Sequence, residues 1–315
     1  FLKCLIPFPI TNKELIVNHV SSITKRIIDI EIEIKKRRKA INDLIEEEIV
    51  GNQLIDKTYK FAYATYRDLT IGKRLDTGIY SNTFQRISFL LNNYKYGVFN
   101  VSSGKLKSGS TPKIREISEY KNNGLRWITP TNCSDYGYIQ NHEQIATPTK
   151  NNIGEDAVLL INRTSRGGKG EYVGIGALYD YKTYGAGHHN QGIYRIIGYS
   201  KAELVFITCF MNTSIMRMYC AALSAGSKMK EIKSEQFLSV PIPIFPHDQL
   251  QKVYDLFYTE GFDCNIENIL TLNLEQIGLF HLSIAKDLLN RYLNSVLDLI
   301  TNNIDFQIVG NRVDQ

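Results

Sequence analysis

An isoleucine-rich heptad pattern near the start of this 315-residue chain constrains its fold more than any other feature. Apolar residues recur in steps of four and three, with Arg37 standing where one further apolar residue is expected. The pattern consists of Ile16, Val20, Ile23, Ile27, Ile30, Ile34, Ile41 and Leu44. Such a stripe is typical of a helix that lies along another helix. We predict a helix from residue 12 to about residue 50, ended by Gly51, and a partner helix elsewhere in the chain.

A proline pair occurs twice, as Pro7 and Pro9 and again as Pro241 and Pro243, each time ahead of a helical pattern. Proline cannot continue a strand ladder, so each pair is expected to close a folded unit before a helix begins. After the second pair we predict helices at residues 247–258 and 282–300. The helix at 282–300 is expected to pack against the first helix through a seam, meaning its apolar contact stripe, of Leu289, Leu293, Val296 and Ile300. The repetition indicates a tandem duplication that begins near the end of its first copy.

The charge of the chain is unevenly distributed. Residues 85–245 contain 19 Lys and Arg against 11 Asp and Glu, a net of +8, whereas residues 246–315 contain 4 against 10, a net of −6. A basic middle indicates a polyanionic partner, and a solvated basic surface is the alternative. The five cysteines show no Cys-x-x-Cys spacing, so we expect reduced thiols in the cytoplasm rather than disulfides or a metal site. No apolar run reaches the length of about 18 residues that a membrane helix needs.

Residues 85–245 combine strands with helices. Short apolar or alternating runs bounded by glycine predict strands at residues 156–163, 171–178 and 191–198. The apolar run at residues 202–223 predicts one or two buried helices. The predicted fold class is therefore α+β, with a twisted mixed sheet and two long helices. The only tryptophan, Trp127, is expected in the core rather than on a base-stacking surface.

Five stretches of this region follow one another in a recognisable order. They are KSGSTPK at 107–113, RWITPTNCSDYGYI at 126–139, AVLLINRTSRGGKGEYVGI at 157–175, HHNQGIYRI at 188–196 and AGSKMKEIKSEQFLSVPIPIFPHDQLQKV at 225–253. The series resembles the target recognition domain of the specificity subunit of type I restriction–modification systems. RLDTGIYSNTFQRI at 74–87 resembles the lead-in segment of some members. The resemblance covers nearly the whole chain.

The resemblance implies a division of the chain. Residues 85–245 would form a target recognition domain similar to that of TaqI-type adenine methyltransferases. Two spacer helices, in 11–58 and 246–315, would pair as an antiparallel coiled coil, and 59–84 would be a linker. Residues 1–10 would be the tail of a first recognition domain. That domain is otherwise missing and the first residue is Phe, so we expect a fragment, a processed or incompletely covered chain, or a half-sized subunit that dimerises.

The resemblance also implies partners. These are double-stranded DNA, adenine-N6 methyltransferase subunits docked on the helices, and an ATP-driven endonuclease subunit. In the family the helices act as a ruler between the two halves of a split DNA target. No membrane partner and no bound cofactor are implied.

Loop residues of the middle region are the candidates for DNA contact. Arginine can bind guanine through two donors, asparagine and glutamine suit adenine, and lysines and glycine-rich turns suit phosphate. The candidates are Lys107, Thr111, Lys113, Arg163, Thr164, Ser165, Arg166, Lys169, His188, His189, Asn190, Lys228 and Lys230. For each stretch the alternative is a solvated turn, and Asn190 would then cap the strand that follows it. The adjacent histidines lack metal-ligand spacing, so no metal site is predicted.

The KKRRK run at residues 35–39 is interpreted as a solvated helix face. A phosphate contact or a methyltransferase docking patch are the alternatives for it. No methyltransferase tetrapeptide, nucleotide-binding glycine motif or nuclease carboxylate pattern was found, which favours a non-catalytic subunit. Two other functions stay open: the recognition portion of a single-chain restriction–methylation enzyme, and a coiled-coil interaction protein with a basic domain that binds protein or RNA.

Overall fold

The computed structural model describes residues 12–54, 60, 63, 65–72, 78–111, 115–117, 125–141, 144–146, 152–165, 172–226, 229–302, 307–309 and 312–314. Its helices are α1 Lys13–Gly51, α2 Tyr66–Gly72, α3 Asn82–Asn92, α4 Tyr181–Tyr184, α5 Lys201–Met211, α6 Ser214–Leu223, α7 Ser234–Leu238, α8 His247–Phe257 and α9 Leu279–Thr301. Its first strands are β1 Val98–Phe99, β2 Leu106–Ser108, β3 Arg115–Ile117, β4 Leu125–Ile128, β5 Gln144–Ala146, β6 Ala157–Asn162 and β7 Thr164–Ser165. The others are β8 Gly176–Asp180, β9 Gly187–His189, β10 Ile193–Ile196, β11 Lys230–Glu231, β12 Ile242–Pro243, β13 Gln307–Val309 and β14 Arg312–Asp314. The α+β class is confirmed.

The chain forms two compact units. The first combines Phe1–Ala40 with Asp255–Gln315, and the second is Ile41–Tyr254. The predicted recognition region, 85–245, lies inside the second unit. The predicted tail at 1–10 lies outside the described residues. The predicted linker at 59–84 is described over most of its length and contains α2 and the start of α3.

In the first unit, α1 and α9 pack against each other in opposite directions. Ile16 forms a buried cluster with Val296 and Ile300. Fifteen residues further along α1, Glu31 pairs with Lys286 of α9 at 3.3 Å. Because the partner positions on α9 move backwards as α1 advances, the two helices are antiparallel.

Other seam residues differ in their burial. Ile23, Ile30, Ile34 and Leu289 are buried, whereas the remaining members of the first unit, Val20, Ile27 and Leu293, are half-buried. In the second unit's part of α1, Ile41 is buried and Leu44 is half-buried.

Arg37 interrupts the apolar stripe for a reason that the structure shows. Its Nε lies 3.0 Å from the Glu33 carboxylate, and an Nη donates to the backbone carbonyl of Glu275. Lys36 pairs with Glu33 at 3.3 Å. Arg37 and Lys36, which also lies 3.8 Å from the Glu275 carboxylate, therefore contact a segment outside α1, so the KKRRK run is not a wholly solvated face.

The second unit contains two four-stranded sheets. One has the order β2-β10-β6-β8 and is antiparallel throughout. The other has the order β3-β5-β4-β9 and is mixed, because β4 and β9 are parallel. Helix α5 packs on β6 and β8, and the inner residues of β6 are fully buried. The predicted mixed sheet is thus present beside an antiparallel sheet.

Most of the strands and helices predicted for the second unit are present, but their first and last residues differ by a few positions from the prediction. The strand predicted at 171–178 begins only at Gly176, because the amide of Ile175 donates to the Asn162 side chain at 2.6 Å. The run at 202–223 forms two helices that break at Asn212, whose side chain donates to the backbone carbonyl of Gly176 at 2.7 Å. Thr213 then caps α6 by accepting from the amide of Met216.

Residues 246–315 are not only helical. Besides α8 and α9 they include the β13–β14 hairpin, which the sequence did not predict. No single described helix is long and apolar enough to cross a membrane, although α5 and α6 together meet that test across a bend of 73°.

Candidate nucleic-acid interface

An open cleft of about 1120 Å³ lies in the second unit. Its lining is rich in hydroxyl and amide side chains. Segment 129–140 supplies Thr129, Pro130, Thr131, Cys133, Ser134, Asp135, Tyr136, Tyr138 and Gln140. The rest comes from Asn162, Arg163, Thr164, Ser165, Tyr172, Ile175, Asn190, Gln191, Gly192, Met229 and Glu231. Such a surface can form many hydrogen bonds with a polar ligand.

Segment 129–140 is held in shape by one buried side chain, Asn132. Its Oδ1 accepts from the backbone amide of Thr129 at 2.7 Å, and its Nδ2 donates to the carbonyls of Gln140 at 2.9 Å and Asn141 at 2.6 Å. These bonds tie the start of the segment to its end. The hydroxyls of Thr131, Tyr136 and other residues are thereby presented at the cleft.

A second buried amide, Asn162, orders the opposite part of the lining. Its Oδ1 accepts from the amide of Ile175, and its Nδ2 donates to the carbonyl of Tyr172 at 2.5 Å. The backbone of Asn162 also bonds to Ile175 and Gly174. Asn162 therefore fixes the approach of Tyr172 to the end of β6.

The cleft requires a glycine at position 192. A Cβ there would lie 2.8 Å from Pro130 Cγ and 2.8 Å from Thr164 Oγ1. Both distances are too short for real contacts, so a side chain at this position would push the two segments apart. The amide of Gly192 also donates to Asn190 Oδ1 at 2.6 Å.

Two arginines near the cleft are each paired with a carboxylate and lie over a tyrosine ring. Arg163 pairs with Glu231 and lies 5.0 Å from the centroid of Tyr194. Arg217 pairs with Asp135 at 2.8 Å and lies 5.3 Å from the centroid of Tyr172. Because each positive charge has a carboxylate beside it, the cleft is a polar surface rather than a strongly cationic one.

The structure gathers four of the predicted contact residues in this cleft. Arg163, Thr164, Ser165 and Asn190 all line it. Asn190 uses its side-chain oxygen to cap the turn before β10, which was the alternative considered for it. Lys107, Thr111 and Lys230 are exposed and do not belong to the lining. The remaining candidates, Lys113, Arg166, Lys169 and Lys228, lie outside the described residues.

The prediction that His188 and His189 face DNA from a surface loop is wrong for this structure. Both are fully buried in strand β9, which pairs with β4. His188 stacks on the buried ring of Trp127 at 5.3 Å, and its Nε2 lies 3.0 Å from the carbonyl of Ser110. Burial lowers the pKa of His189 to about 3. The pair belongs to the core, as does Trp127, for which the core prediction is confirmed.

The contribution of segment 129–140 was missed from the sequence, although the segment was quoted for its resemblance to a family. One local signal was available: Thr129 and Asn132 stand three residues apart around Pro130, a pattern that predicts a capped turn. Within the described residues, no group of three or more His, Cys, Asp or Glu side chains could hold a metal ion.

Comparison with known proteins identifies one informative relative. The chain is 30% identical over 183 residues to the specificity subunit of the type I restriction enzyme MjaIX from Methanocaldococcus jannaschii. The match covers 56% of this chain and 40% of the relative, so the chain spans well under half of that protein. It confirms the resemblance to type I specificity subunits that the sequence predicted. No family model matches the chain.

Two solved structures align along most of the chain at low similarity. A chain from a structure of type I R-M complex assembly and conformational transition covers 92% of this chain and 60% of its own length, with 11% identity and a TM-score of 0.38. The HsdS subunit from Thermoanaerobacter tengcongensis covers 93% of this chain and 59% of its own length, with the same identity and TM-score. A TM-score of 0.38 is too low to support a conclusion about the fold.

Proposed function

We propose that this chain, being similar to a type I specificity subunit, is a non-catalytic DNA recognition subunit of a type I restriction–modification system. The observation that carries the proposal is the cleft of the second unit. It brings Arg163, Thr164 and Asn190 together with a hydroxyl-rich segment, within the part of the chain that has a net charge of +8. A polar lining suits the edges of bases, and basic surroundings suit phosphates.

We extend the proposal to the roles of the recognition domain and of the two long helices. Residues 85–245 would be a TaqI-like target recognition domain, and the family motifs in that region support this assignment. Helices α1 and α9 would form an antiparallel coiled coil that sets the distance between half-sites. The buried contacts of Ile16 with Val296 and Ile300 support the pairing.

The chemistry would reside in other subunits. We propose adenine-N6 methyltransferase subunits as partners docked on the helices, an ATP-driven endonuclease subunit as a further partner, and the cytoplasm as the location. The chain would bring these subunits to a DNA target. A dimer of this chain would provide two recognition units if the natural subunit is half-sized.

The proposal is tested by selection from a randomised duplex pool at physiological salt, using the full chain together with its methyltransferase subunit. We expect enrichment of a short motif a few base pairs long. Two motifs at a fixed spacing would indicate a dimer. Salt-sensitive binding without any enrichment would contradict the proposal and favour an interaction protein with a basic domain, because phosphate contacts alone do not discriminate bases.

A further inference from the structure

We propose that Arg163 and Glu231 act together to read one G·C base pair in the major groove. Arg163 would donate to N7 and O6 of the guanine, and Glu231 would accept from the N4 amino group of the paired cytosine. The inference rests on the proposed function, which it deepens by naming a base pair of the target. Glu231 becomes a specificity-determining residue that no sequence motif had indicated.

Arg163 is held in place from three directions. Its amide donates to the carbonyl of Gly192 at 2.9 Å, and its carbonyl accepts from the amide of Ile232 at 2.9 Å. The guanidinium lies over the buried ring of Tyr194, whose hydroxyl donates to the carbonyl of Ile232 at 3.1 Å. The backbone of Arg163 is thus fixed on both sides, and the contacts of its guanidinium with Tyr194 and Glu231 reduce the freedom that the side chain would lose on binding a ligand.

Glu231 is held as firmly. Its amide and carbonyl both bond to Ala225 at 2.9 Å, and in the register of β11 and β7 it lies opposite Thr164. Its carboxylate pairs with an Nη of Arg163. The two side chains stay 25% and 31% exposed, so both can be reached from the cleft that they line.

The charge of the pair argues for a base rather than a phosphate. A phosphate that approached Arg163 would also approach the Glu231 carboxylate and be repelled by it. A base edge carries no net charge and presents acceptors and donors side by side. A neutral arginine–carboxylate pair offers both complements at once.

The order of groups in the major groove selects G·C among the base pairs. Guanine presents two neighbouring acceptors, N7 and O6, and the cytosine amino donor follows them. The arginine fork matches the two acceptors, and the carboxylate matches the donor. In an A·T pair the adenine amino donor lies between the acceptors N7 and O4, so an arginine fork would meet a donor.

The second pair, Arg217 with Asp135, has a different position. Asp135 and Tyr172 line the cleft, but Arg217 is not part of the lining. Its Nη2 bonds to the Asp135 carboxylate, and its guanidinium lies against the Tyr172 ring. We therefore assign Arg217 to holding these two residues in position, and only the first pair to reading a base pair.

The test is a set of competition binding measurements with the full chain. Once the preferred duplex is known, each of its base pairs is replaced in turn, and relative affinities are measured for wild type, Arg163→Ala and Glu231→Ala. We expect both variants to flatten the preference at the same G·C pair, by on the order of 10- to 100-fold for Arg163→Ala. Arg291→Ala removes an arginine that pairs with Asp287 outside the cleft, and should leave every base preference unchanged.

A further variant, Arg163→Lys, keeps the charge but not the two-donor fork. This variant should lose the guanine preference while binding non-cognate DNA with the affinity of wild type. If Arg163→Ala does not fold, Arg163→Lys is the variant that tests the inference. Three results would overturn the inference and leave the proposed function standing. They are uniform weakening across all duplexes, effects of the two variants at different base pairs, and a preferred A·T pair at the affected position. A wild-type chain that selects no motif at all would overturn both.

Discussion

At the scale of single residues, the ring of His189 is fully buried in strand β9. Burial lowers its pKa from the usual value of 6.5 to about 3. Between these values the unfolded chain binds a proton that the folded chain does not. Stability must therefore fall as the pH falls through this window.

We expect this one group to remove up to about 3 kcal/mol of unfolding free energy between pH 6.5 and pH 4. The measurement is urea unfolding across that range for wild type, His189→Gln and His247→Gln. His189→Gln should lose this part of the pH dependence, whatever its absolute stability. His247 is exposed at the start of α8, so its variant should keep the wild-type slope. Equal slopes in all three proteins would contradict a neutral, buried His189.

At the scale of elements, Ala225 forms backbone hydrogen bonds with Glu231 in both directions, and Gly226 follows it directly. The φ of Gly226 is +114°, and a Cβ there would lie 2.1 Å from the carbonyl oxygen of Met229. Both features exclude a side chain unless the backbone moves. We therefore expect Gly226 to help hold Ala225, and with it Glu231, in position.

Gly226→Ala should destabilise the second unit by about 1–3 kcal/mol and weaken discrimination at the base pair that we propose Glu231 reads. Thermal unfolding and the competition assay measure the two effects. Gly104→Ala is the matched control, because no atom lies within 4 Å of a Cβ at that position. Wild-type stability and base preference in Gly226→Ala would show that Gly226 does not help to position Glu231.

The pairing of α1 with α9 makes a second prediction at this scale. Ile16 is 3% exposed in the cluster with Val296 and Ile300, whereas its neighbour Val17 is 44% exposed. Ile16→Asp should lower the free energy of unfolding by at least about 3 kcal/mol, because it buries an unpaired charge. Val17→Asp should change stability by no more than about 0.5 kcal/mol. Circular dichroism during heating measures both, and equal losses would contradict the observed packing.

The elements show where sequence reasoning succeeds. Helix α1 was predictable to within about a residue, because its stripe repeats over eight apolar positions and a glycine marks its end. The apolar runs of β6 and β10 were also clear. The start of β8 was not, since it depends on the Asn162 side chain, which bonds to residues that lie ten or more positions away.

The candidate site was harder to predict than the fold. Arg163, Thr164 and Ser165 were found because they follow a strand in a glycine-rich turn. Segment 129–140 reaches the same cleft through sheet pairing and the bonds of Asn132 to Gln140 and Asn141, and the local Thr129–Asn132 pattern specifies neither of them. His188 and His189 were misplaced because polar residues flanked by glycines are typical of a loop, whereas stacking on Trp127 and pairing with β4 bury them.

At the scale of the whole molecule, the positive charge of the middle region lies largely outside the cleft, as with the exposed residues Lys107 and Lys230. We expect such lysines to bind phosphates without reading sequence. Lys107→Ala and Lys230→Ala should each weaken binding to every duplex by a similar factor and reduce the slope of log affinity against log salt by about one. Salt titrations with cognate and shuffled duplexes measure this. A change in base preference would instead place the lysine at a base edge.

Whether the cleft reads a DNA sequence is decided by one ratio of affinities. The full chain is titrated with the selected duplex and with a shuffled duplex of equal length and composition, at low and at physiological salt. We expect both affinities to fall with salt while the selected duplex stays at least about tenfold tighter, because base contacts release few counterions. A ratio near one at both salt concentrations would contradict this expectation.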